Sequence, residues 1–456
     1  MELTKKKQYD LTEGVIWKGL ILFFIPILAG SLFQQLYTTA DAVIVGRFAG
    51  KGALASIDAI YSLTKLPVNF LVGISSGATI IISQYFGAKN QNGLSKAVHT
   101  AIAFAFLGGM ILSISGIVFS PCLLRVLKVP EDIFAGSLSY ARIYFAGMAA
   151  SMTYNIGTGI LRAVGDTKSP FYFLLAANIV NVALDLLFIG AFKWNVAGAA
   201  LSTVLSQLLS AILVVIALMR TNLSCRLILK NIYFHKDILK RIFKIGLPVG
   251  IQSSLYPIAN MLIQSNINQY GTNSIAAWAV CGKLDFLIWM IIDSLGITIS
   301  TFSAQNFGGG HNYRIKKGVW QCLCISAVLV AFFSSILYVW CEPLGFLFVD
   351  DADVIALSTQ LMKFLSPLYI FYIGGEIFSG AIRGTGESFR PMMLTLAGTF
   401  ACRTLWILAV VPTNPSLIMV LSSYPVSWFM TSLIFTVYYY IFRSRRLSVN
   451  SIGYEA

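Results

Sequence analysis

Long apolar runs separated by short polar segments occupy most of the 456 residues. Each run is long enough for one membrane-spanning helix, which needs roughly 20 apolar residues. The runs show no strand-like alternation of apolar and polar residues, so they favour helices over a transmembrane β-barrel. We predict spans near residues 15–40, 54–82, 95–120, 133–157, 170–192, 195–219, 244–268, 273–302, 318–341, 354–378, 391–411 and 416–441.

The composition agrees with an integral membrane protein and excludes several other classes. Hydrophobic residues make up 57% of the chain and charged residues only 11%, whereas an ordinary soluble protein has about 25% charged residues. A disordered chain, a disulfide-stapled secreted domain and a soluble enzyme are therefore excluded. The spans leave no room for a separate catalytic domain, and we predict that the protein is not an enzyme.

The two halves of the chain are related by a constant offset of 221 residues. Residues of the same type recur at this offset in the pairs Gly50/Gly271, Gln84/Gln305, Arg162/Arg383, Gly165/Gly386 and Pro170/Pro391. Six spans per copy is an even number, so both copies enter the membrane from the same side and are related by a pseudo-two-fold axis along the membrane normal. The sequence therefore predicts an all-α integral membrane protein with twelve transmembrane helices in two six-helix lobes.

The longest basic stretch separates the halves and sets the predicted domain boundaries. We predict an N-terminal lobe at 1–219, a cytoplasmic linker at 220–243, a C-terminal lobe at 244–441 and a cytoplasmic tail at 442–456. The predicted cytoplasmic segments hold 23 Lys and Arg residues and the outer loops hold 5. By the positive-inside rule both termini are cytoplasmic. This bias accounts for the net charge of +14 without a nucleic-acid partner, and an uncleaved, loop-poor chain fits a bacterial plasma membrane.

Polar residues inside the apolar runs are the most informative, because a charge at membrane depth usually faces the protein interior or water. Asn178, Asn181 and Asp185 have the spacing i, i+3, i+7 and form one polar stripe on the fifth span. Asp185 lies roughly 10 Å from the outer end of that span at 1.5 Å per residue. Thr203 and Asp41 are expected at a similar level. These oxygen-bearing side chains suit a proton or a hard cation such as Na⁺.

Other interpretations of these acids stay open. Asp41 would be an interfacial residue paired with Arg47, and Asp185 would be a structural acid held by hydrogen bonds. In the second half, Lys283 is expected to neutralise one of the two acids Asp285 and Asp293. Glu376 is a further acid inside a predicted span.

A motif for ATP hydrolysis is missing from the sequence, because it contains no Walker A motif. The seven Cys residues are odd in number and scattered, which indicates packing positions rather than a disulfide or zinc framework. We therefore predict that an ion gradient supplies the energy, with no ATPase subunit, no cofactor and no metal other than Na⁺.

Several stretches, taken together, resemble the multidrug and toxic compound extrusion (MATE) family in its bacterial DinF-like and MepA-like branch. They are residues 26–50 (PILAGSLFQQLYTTADAVIVGRFAG), 83–88, 161–170, 181–185 and 198–203. The resemblance implies an antiporter that exports small organic, often cationic, compounds in exchange for H⁺ or Na⁺ by alternating access, and that needs no partner subunit. It also implies a coupling-ion site at Asp41, Asn181, Asp185 and Thr203.

Further residues complete the hypothesis. Pro26 removes a backbone hydrogen bond within the first span and permits a kink there. Gln34 and Tyr37 lie on one helical face that leads to Asp41, so they are candidate contacts of a substrate cleft. Glu376 and Asp293 are candidate cleft contacts in the second half. The alternative function is a flippase or exporter of a lipid-linked or polysaccharide precursor of the same superfamily, which would need a strongly basic cavity.

Overall fold

The computed structural model describes residues 10–221 and 225–447, apart from the side chains of residues 51, 54, 61–66, 445 and 446. Within these ranges all regular elements are helices, as the sequence predicts. The helices cluster into two units, of which the first holds residues 25–250 and the second holds residues 11–24 and 251–447. Most of the tail predicted at 442–456 lies outside the described residues, and the predicted lobe boundaries stay a prediction.

The first unit contains six helices entirely and two in part. They are α1 (Ile16–Phe48), α2 (Gly50–Gly87), α3 (Gln91–Val126), α4 (Glu131–Ala146), α5 (Met148–Ala163), α6 (Lys168–Asp185), α7 (Asn195–Arg220) and α8 (Lys236–Ile267). A π-helical turn, Leu186–Ala191, continues α6. The division between the units falls inside α1, after Phe24, and inside α8, after Gly250.

The second unit contains the remaining helices. They are α9 (Thr272–Leu284), α10 (Phe286–Gly308), α11 (Asn312–Gly345), α12 (Ala352–Leu365), α13 (Ile370–Gly384), α14 (Phe389–Thr395), α15 (Cys402–Leu405), α16 (Leu417–Leu421) and α17 (Ser423–Arg446). Short 3₁₀ turns lie at Asn268–Tyr270, Ser366–Leu368 and Val411–Thr413. Two π-helical turns, Leu396–Ala401 and Trp406–Val410, flank α15.

Helix length and hydropathy identify most of the predicted spans. Among the described residues, nine helices are long and apolar enough to cross a membrane, and the pair α12 and α13, bent by 49°, makes a tenth. The fourth predicted span is divided at Gly147 into α4 and α5, each of 16 residues. The seventh, α8, has 32 residues but a charged first half and a polar second half. The fourth and seventh predicted spans are thus helical as well, but a break in one and polar residues in the other keep them from meeting the length and hydropathy criterion.

The backbone repeats its turns at the offset found in the sequence. Gly165 and its equivalent Gly386 both have φ of +89° and both end a helix. Gly50 and Gly271 likewise have φ of +82° and +88°. Glycine adopts this region without the steric cost that a side chain would add. The matched glycines therefore mark the same turns in both copies.

Glycines also bring α2 and α8 together within the first unit. Gly73 and Gly77 on α2, and Gly246 and Gly250 on α8, are each spaced four residues apart. A Cβ added to Gly73 would lie 2.3 Å from the Cα of Gly250. Small residues at this spacing let membrane helices approach closely. The contact therefore depends on the missing side chains.

A short N-terminal segment is anchored within the second unit. Arg314, at the start of α11, donates hydrogen bonds of 3.0–3.2 Å to the backbone carbonyls of Leu11, Glu13 and Gly14. The N–H of Leu11 donates to Gln305 Oε1 at 3.1 Å. The chain that enters α1 is therefore fixed by side chains of α10 and α11.

Candidate functional site

Two neighbouring helices of the first unit bring together the polar residues on which the sequence prediction depends. Asn181 and Asp185 lie one turn apart on α6 and are completely buried. Thr203 on α7 is 9% exposed. Ser202, which the sequence prediction missed, donates a short hydrogen bond to Asp185 Oδ1. The polar stripe of α6 therefore faces α7 inside the unit.

Asp41 from α1 completes this group. Its carboxyl group faces that of Asp185 within hydrogen-bonding reach. It makes no ion pair with Arg47, which is exposed, so the interfacial pair is not formed. Two carboxylates in direct contact repel each other unless a proton or a cation lies between them. The two carboxylates therefore form a site that stabilises a single positive charge between them.

Three oxygen atoms of the group have no hydrogen-bond partner among the described residues. They are Asp41 Oδ1, Asn181 Oδ1 and Asp185 Oδ2, all buried. A buried polar atom without a partner costs about 1–3 kcal/mol. The opposite end of the Asn181 amide is held, because its Nδ2 donates to Ser206 Oγ at 3.4 Å. The amide is thereby oriented with its oxygen available to accept a hydrogen bond or bind a cation.

The other predicted residues of this half lie around the group. Tyr37 is half-buried, and its phenol lies beside Thr203 and the two carboxylates. Gln34, one turn earlier on α1, is exposed. The Asn178 amide donates to the backbone carbonyl of Phe33 at 3.4 Å. Asn178 therefore joins α6 to α1 and does not bond to the carboxylates.

Two aromatic residues at the site were missed from the sequence. Tyr140 and Tyr144 are one turn apart on α4, and their rings stack at 5.9 Å. Tyr140 lies near Tyr37 and both carboxylates. Their i, i+4 spacing within a predicted span was the available signal. It could not show that α4 packs beside α7, which carries Ser202 and Thr203.

The backbone at the site is irregular in two places. The π-helical turn Leu186–Ala191 begins directly after Asp185, and such turns are frequent at functional sites. Pro26 lies inside α1, which stays helical through it. It is two residues beyond Phe24, where α1 leaves the second unit. A kink at Pro26 stays a prediction.

The candidate residues of the second half have different surroundings. Glu376 forms an ion pair with Arg383 at 2.8 Å. Asp293 is exposed and pairs with no residue that the structure describes. The predicted neutralisation by Lys283 is wrong, because that side chain is exposed and pairs with neither acid. Asp285 instead accepts from Tyr369 at 2.7 Å and from Trp289 at 2.9 Å.

Across residues 10–221 and 225–447, no three His, Cys, Asp or Glu side chains lie close enough together to hold a metal ion. The group on α1, α6 and α7 contains two carboxylates, one amide and three hydroxyls (Asp41, Asp185, Asn181, Ser202, Thr203 and Ser206). This donor set is rich in oxygen, and three of its buried oxygen atoms have no hydrogen-bond partner among the described residues.

Comparison with known proteins identifies the family of this chain. The MatE family model matches residues 26–187 and 248–406. The probable multidrug resistance protein YoeA of Bacillus subtilis (strain 168) is 29% identical over 405 residues, with 86% of each chain covered. The multidrug export protein MepA of Staphylococcus aureus (strain NCTC 8325) is 25% identical over 389 residues, covering 83% of this chain and 84% of MepA.

A solved structure has the same fold. It is described as the outward-facing conformation of a multidrug resistance MATE family transporter of the MOP superfamily. Its TM-score is 0.89 at 19% identity, with 97% of this chain and 98% of that chain covered. This likeness, with the family match, shows a multi-pass membrane protein with the twelve-helix, two-lobe fold. The chain belongs to the MatE family, whose members are transporters of small molecules and not enzymes.

Proposed function

We propose that this protein is a secondary active multidrug exporter that exchanges organic, often cationic, compounds for H⁺ or Na⁺. The coupling ion binds in the first unit, between Asp41 and Asp185. One observation carries the proposal: Asp41, Asn181 and Asp185 each have a buried oxygen without a hydrogen-bond partner among the described residues. An ion bound there would satisfy these oxygens and neutralise the carboxylate pair.

The proposed cycle follows from that charge. With both carboxylates ionised, the site attracts an organic cation, and Tyr37 and the stacked pair Tyr140 and Tyr144 offer ring faces that suit flat cations. Binding of H⁺ or Na⁺ cancels the charge, so the cation is released. Pro26 gives α1 a flexible point beside the division between the units, which supports a bend of α1 as the accompanying motion.

The names of the relatives support the substrate class, since YoeA is a probable multidrug resistance protein and MepA a multidrug export protein. Both come from bacteria, which supports a plasma-membrane location. The distribution of Lys and Arg supports cytoplasmic termini. We further propose that the chain works as a monomer without an ATPase subunit or a cofactor.

Transport in proteoliposomes tests the proposal. Efflux of a fluorescent organic cation is measured with a pH gradient or a Na⁺ gradient imposed separately. Transport should follow one of the two gradients and should be lost in Asp41→Asn and in Asp185→Asn. Asp132→Asn is the matched control, because it removes the same charge from the exposed first turn of α4. It should transport as the unchanged protein does.

The other outcomes also discriminate. Gradient-driven transport that survives both substitutions would contradict ion coupling in the first unit and would direct attention to Asp293 and Glu376. Absence of transport under either gradient would favour the flippase alternative.

A further inference from the structure

The second unit contains a polar group at the position equivalent to the carboxylate site, but with the opposite charge. Adding 221 to Ser206 and Thr203 gives Ser427 and Tyr424. The equivalent of Asp185 is Trp406, and Arg403 lies three residues before it. A π-helical turn follows in both copies, at Leu186–Ala191 and Trp406–Val410.

Arg403 is buried among neutral partners. It is 4% exposed. Its Nε donates to Ser427 Oγ at 3.0 Å, and its Nη1 donates to Asn260 Oδ1 at 2.9 Å. The guanidinium carbon lies 4.5 Å from the centroid of the Tyr424 ring. In the part of the chain that the structure describes, no carboxylate pairs with it.

This charge state is unusual at membrane depth. Charged residues in membrane helices are commonly paired with an opposite charge or face a water-filled cavity. Arg383 in the same unit follows the first pattern, since it pairs with Glu376 at 2.8 Å. Arg403 keeps an uncompensated positive charge, for which an anion is the natural partner.

The group lies beside a partly exposed polar face of α8. Ser253, Asn260, Gln264 and Asn268 form a polar stripe along one face of that helix and the turn that follows it. Lipid would not tolerate such a stripe. Asn260 is exposed and is bonded directly to Arg403. The guanidinium therefore lies immediately behind an exposed polar side chain.

Aromatic rings border the guanidinium on one side. Tyr424 lies beneath it, and the Tyr424 ring is 5.4 Å from Trp278 and 5.8 Å from Trp428. A planar ring system suits such surroundings, because offset and edge-on ring contacts are favourable. These surroundings favour a ligand that combines an aromatic ring system with a negatively charged group.

We propose that Arg403, with Asn260, Ser427 and Tyr424, forms an anion-binding site for the carboxylate of a planar organic compound. The site is separate from the carboxylate pair of the first unit. It would allow the transporter to accept zwitterionic or anionic compounds in addition to cations. Equilibrium binding tests it without any ion gradient, so its failure is distinguishable from failure of the proposed antiport.

The test uses the full chain, purified in detergent and free of chloride. Binding of 2-naphthoate is measured by titration calorimetry and compared with 2-naphthylmethanol, which has the same rings without the charge. The carboxylate should bind more tightly. Arg403→Gln should weaken naphthoate binding by about tenfold or more, as expected for loss of a charged hydrogen bond, and leave naphthylmethanol unaffected. Arg403→Lys should weaken naphthoate binding less than Arg403→Gln does, because it keeps the positive charge.

A matched control and a second variant secure the result. Arg390→Gln removes a positive charge from the exposed start of the same span and should bind as the unchanged protein does. If Arg403→Gln does not fold, naphthoate binding is measured in Asn260→Ala and Arg403→Lys instead. Unchanged naphthoate affinity in both of these variants would overturn the proposal. Equal binding of naphthoate and naphthylmethanol would also overturn it. Arg403-dependent binding of chloride, together with no binding of naphthoate in chloride-free buffer, would assign the site to an inorganic anion and overturn the organic ligand.

Discussion

Asn181 and Arg403 occupy nearly equivalent places in the repeat, and each donates to a serine at the same repeat position. Asn181 bonds to Ser206 and Arg403 bonds to Ser427. The serine oxygen accepts in both cases, so the fold around it can hold a neutral amide or a guanidinium. Near the amide lie two carboxylates, and near the guanidinium lie none among the described residues. Substitutions at neighbouring register positions therefore set the charge that each unit presents.

Ser206→Ala tests whether the Asn181 amide orients an ion ligand. The substitution removes the acceptor of Asn181 Nδ2 and frees the amide to rotate. The half-saturating concentration of the driving ion should rise about two- to tenfold, which corresponds to a lost hydrogen bond of about 0.5–1.5 kcal/mol. The maximal rate should stay nearly unchanged, as measured by gradient-driven transport in proteoliposomes.

Ser210→Ala provides the control, because Ser210 is buried one turn further along α7. Its half-saturating ion concentration should equal that of the unchanged protein. An equal rise in both variants would mean that α7 packing, and not the Asn181 amide, is responsible.

Helix packing is the next level at which the fold makes predictions, and the crossing of α2 and α8 is the sharpest case. Gly73→Ala would place a methyl group 2.3 Å from the Gly250 backbone, so the helices must separate. Overpacking of this kind costs about 1–3 kcal/mol. The thermal unfolding midpoint of the purified protein should fall.

Gly52→Ala is the matched control, since it adds the same methyl to α2 where no atom lies within 4 Å. That variant should be as stable as the unchanged protein or slightly more so, because alanine favours a helix over glycine by about 0.5–1 kcal/mol. Equal unfolding midpoints for the two variants would contradict the close crossing.

The N-terminal anchor gives a second prediction at this scale. Arg314→Gln removes the guanidinium that bonds to three carbonyls in residues 11–14. Hydrogen exchange of the amides in this segment should become about tenfold faster or more, because hydrogen bonds to charged groups contribute about 1.5–3 kcal/mol each. Lys317→Gln, exposed on the same helix, should not alter it. Unchanged protection in Arg314→Gln would show that the anchor does not hold the segment.

The sequence predicted most of the helices, but only part of the contacts at the site. Hydropathy predicted the spans because a segment that crosses lipid must satisfy its backbone hydrogen bonds within a helix and expose apolar side chains to the lipid. The spacing of Asn178, Asn181 and Asp185 predicted a polar face, but it could not show that Asn178 would bond to α1 instead. Ser202 and Tyr140 were missed because their roles depend on which helices pack together. Lys283 was misjudged because nearness in sequence does not fix the direction of a side chain.

For the whole molecule, duplication supplies two copies of one helical unit, and divergence gives them different polar interiors. The first copy presents Asp41 and Asp185, and the second presents Arg403. The backbone turns at Gly165 and Gly386 stayed the same. The frame common to both copies is thus compatible with an ion site in one and a different chemistry in the other.

Antiport is the central claim about the whole molecule, and it requires that a substrate gradient alone can move the coupling ion. Proteoliposomes that contain a pH-sensitive or Na⁺-sensitive dye are given a gradient of an organic cation and no ion gradient. The account predicts that H⁺ or Na⁺ moves opposite to the cation, and that this movement disappears in Asp185→Asn. Cation flux without ion movement, or with the ion moving in the same direction, would contradict it.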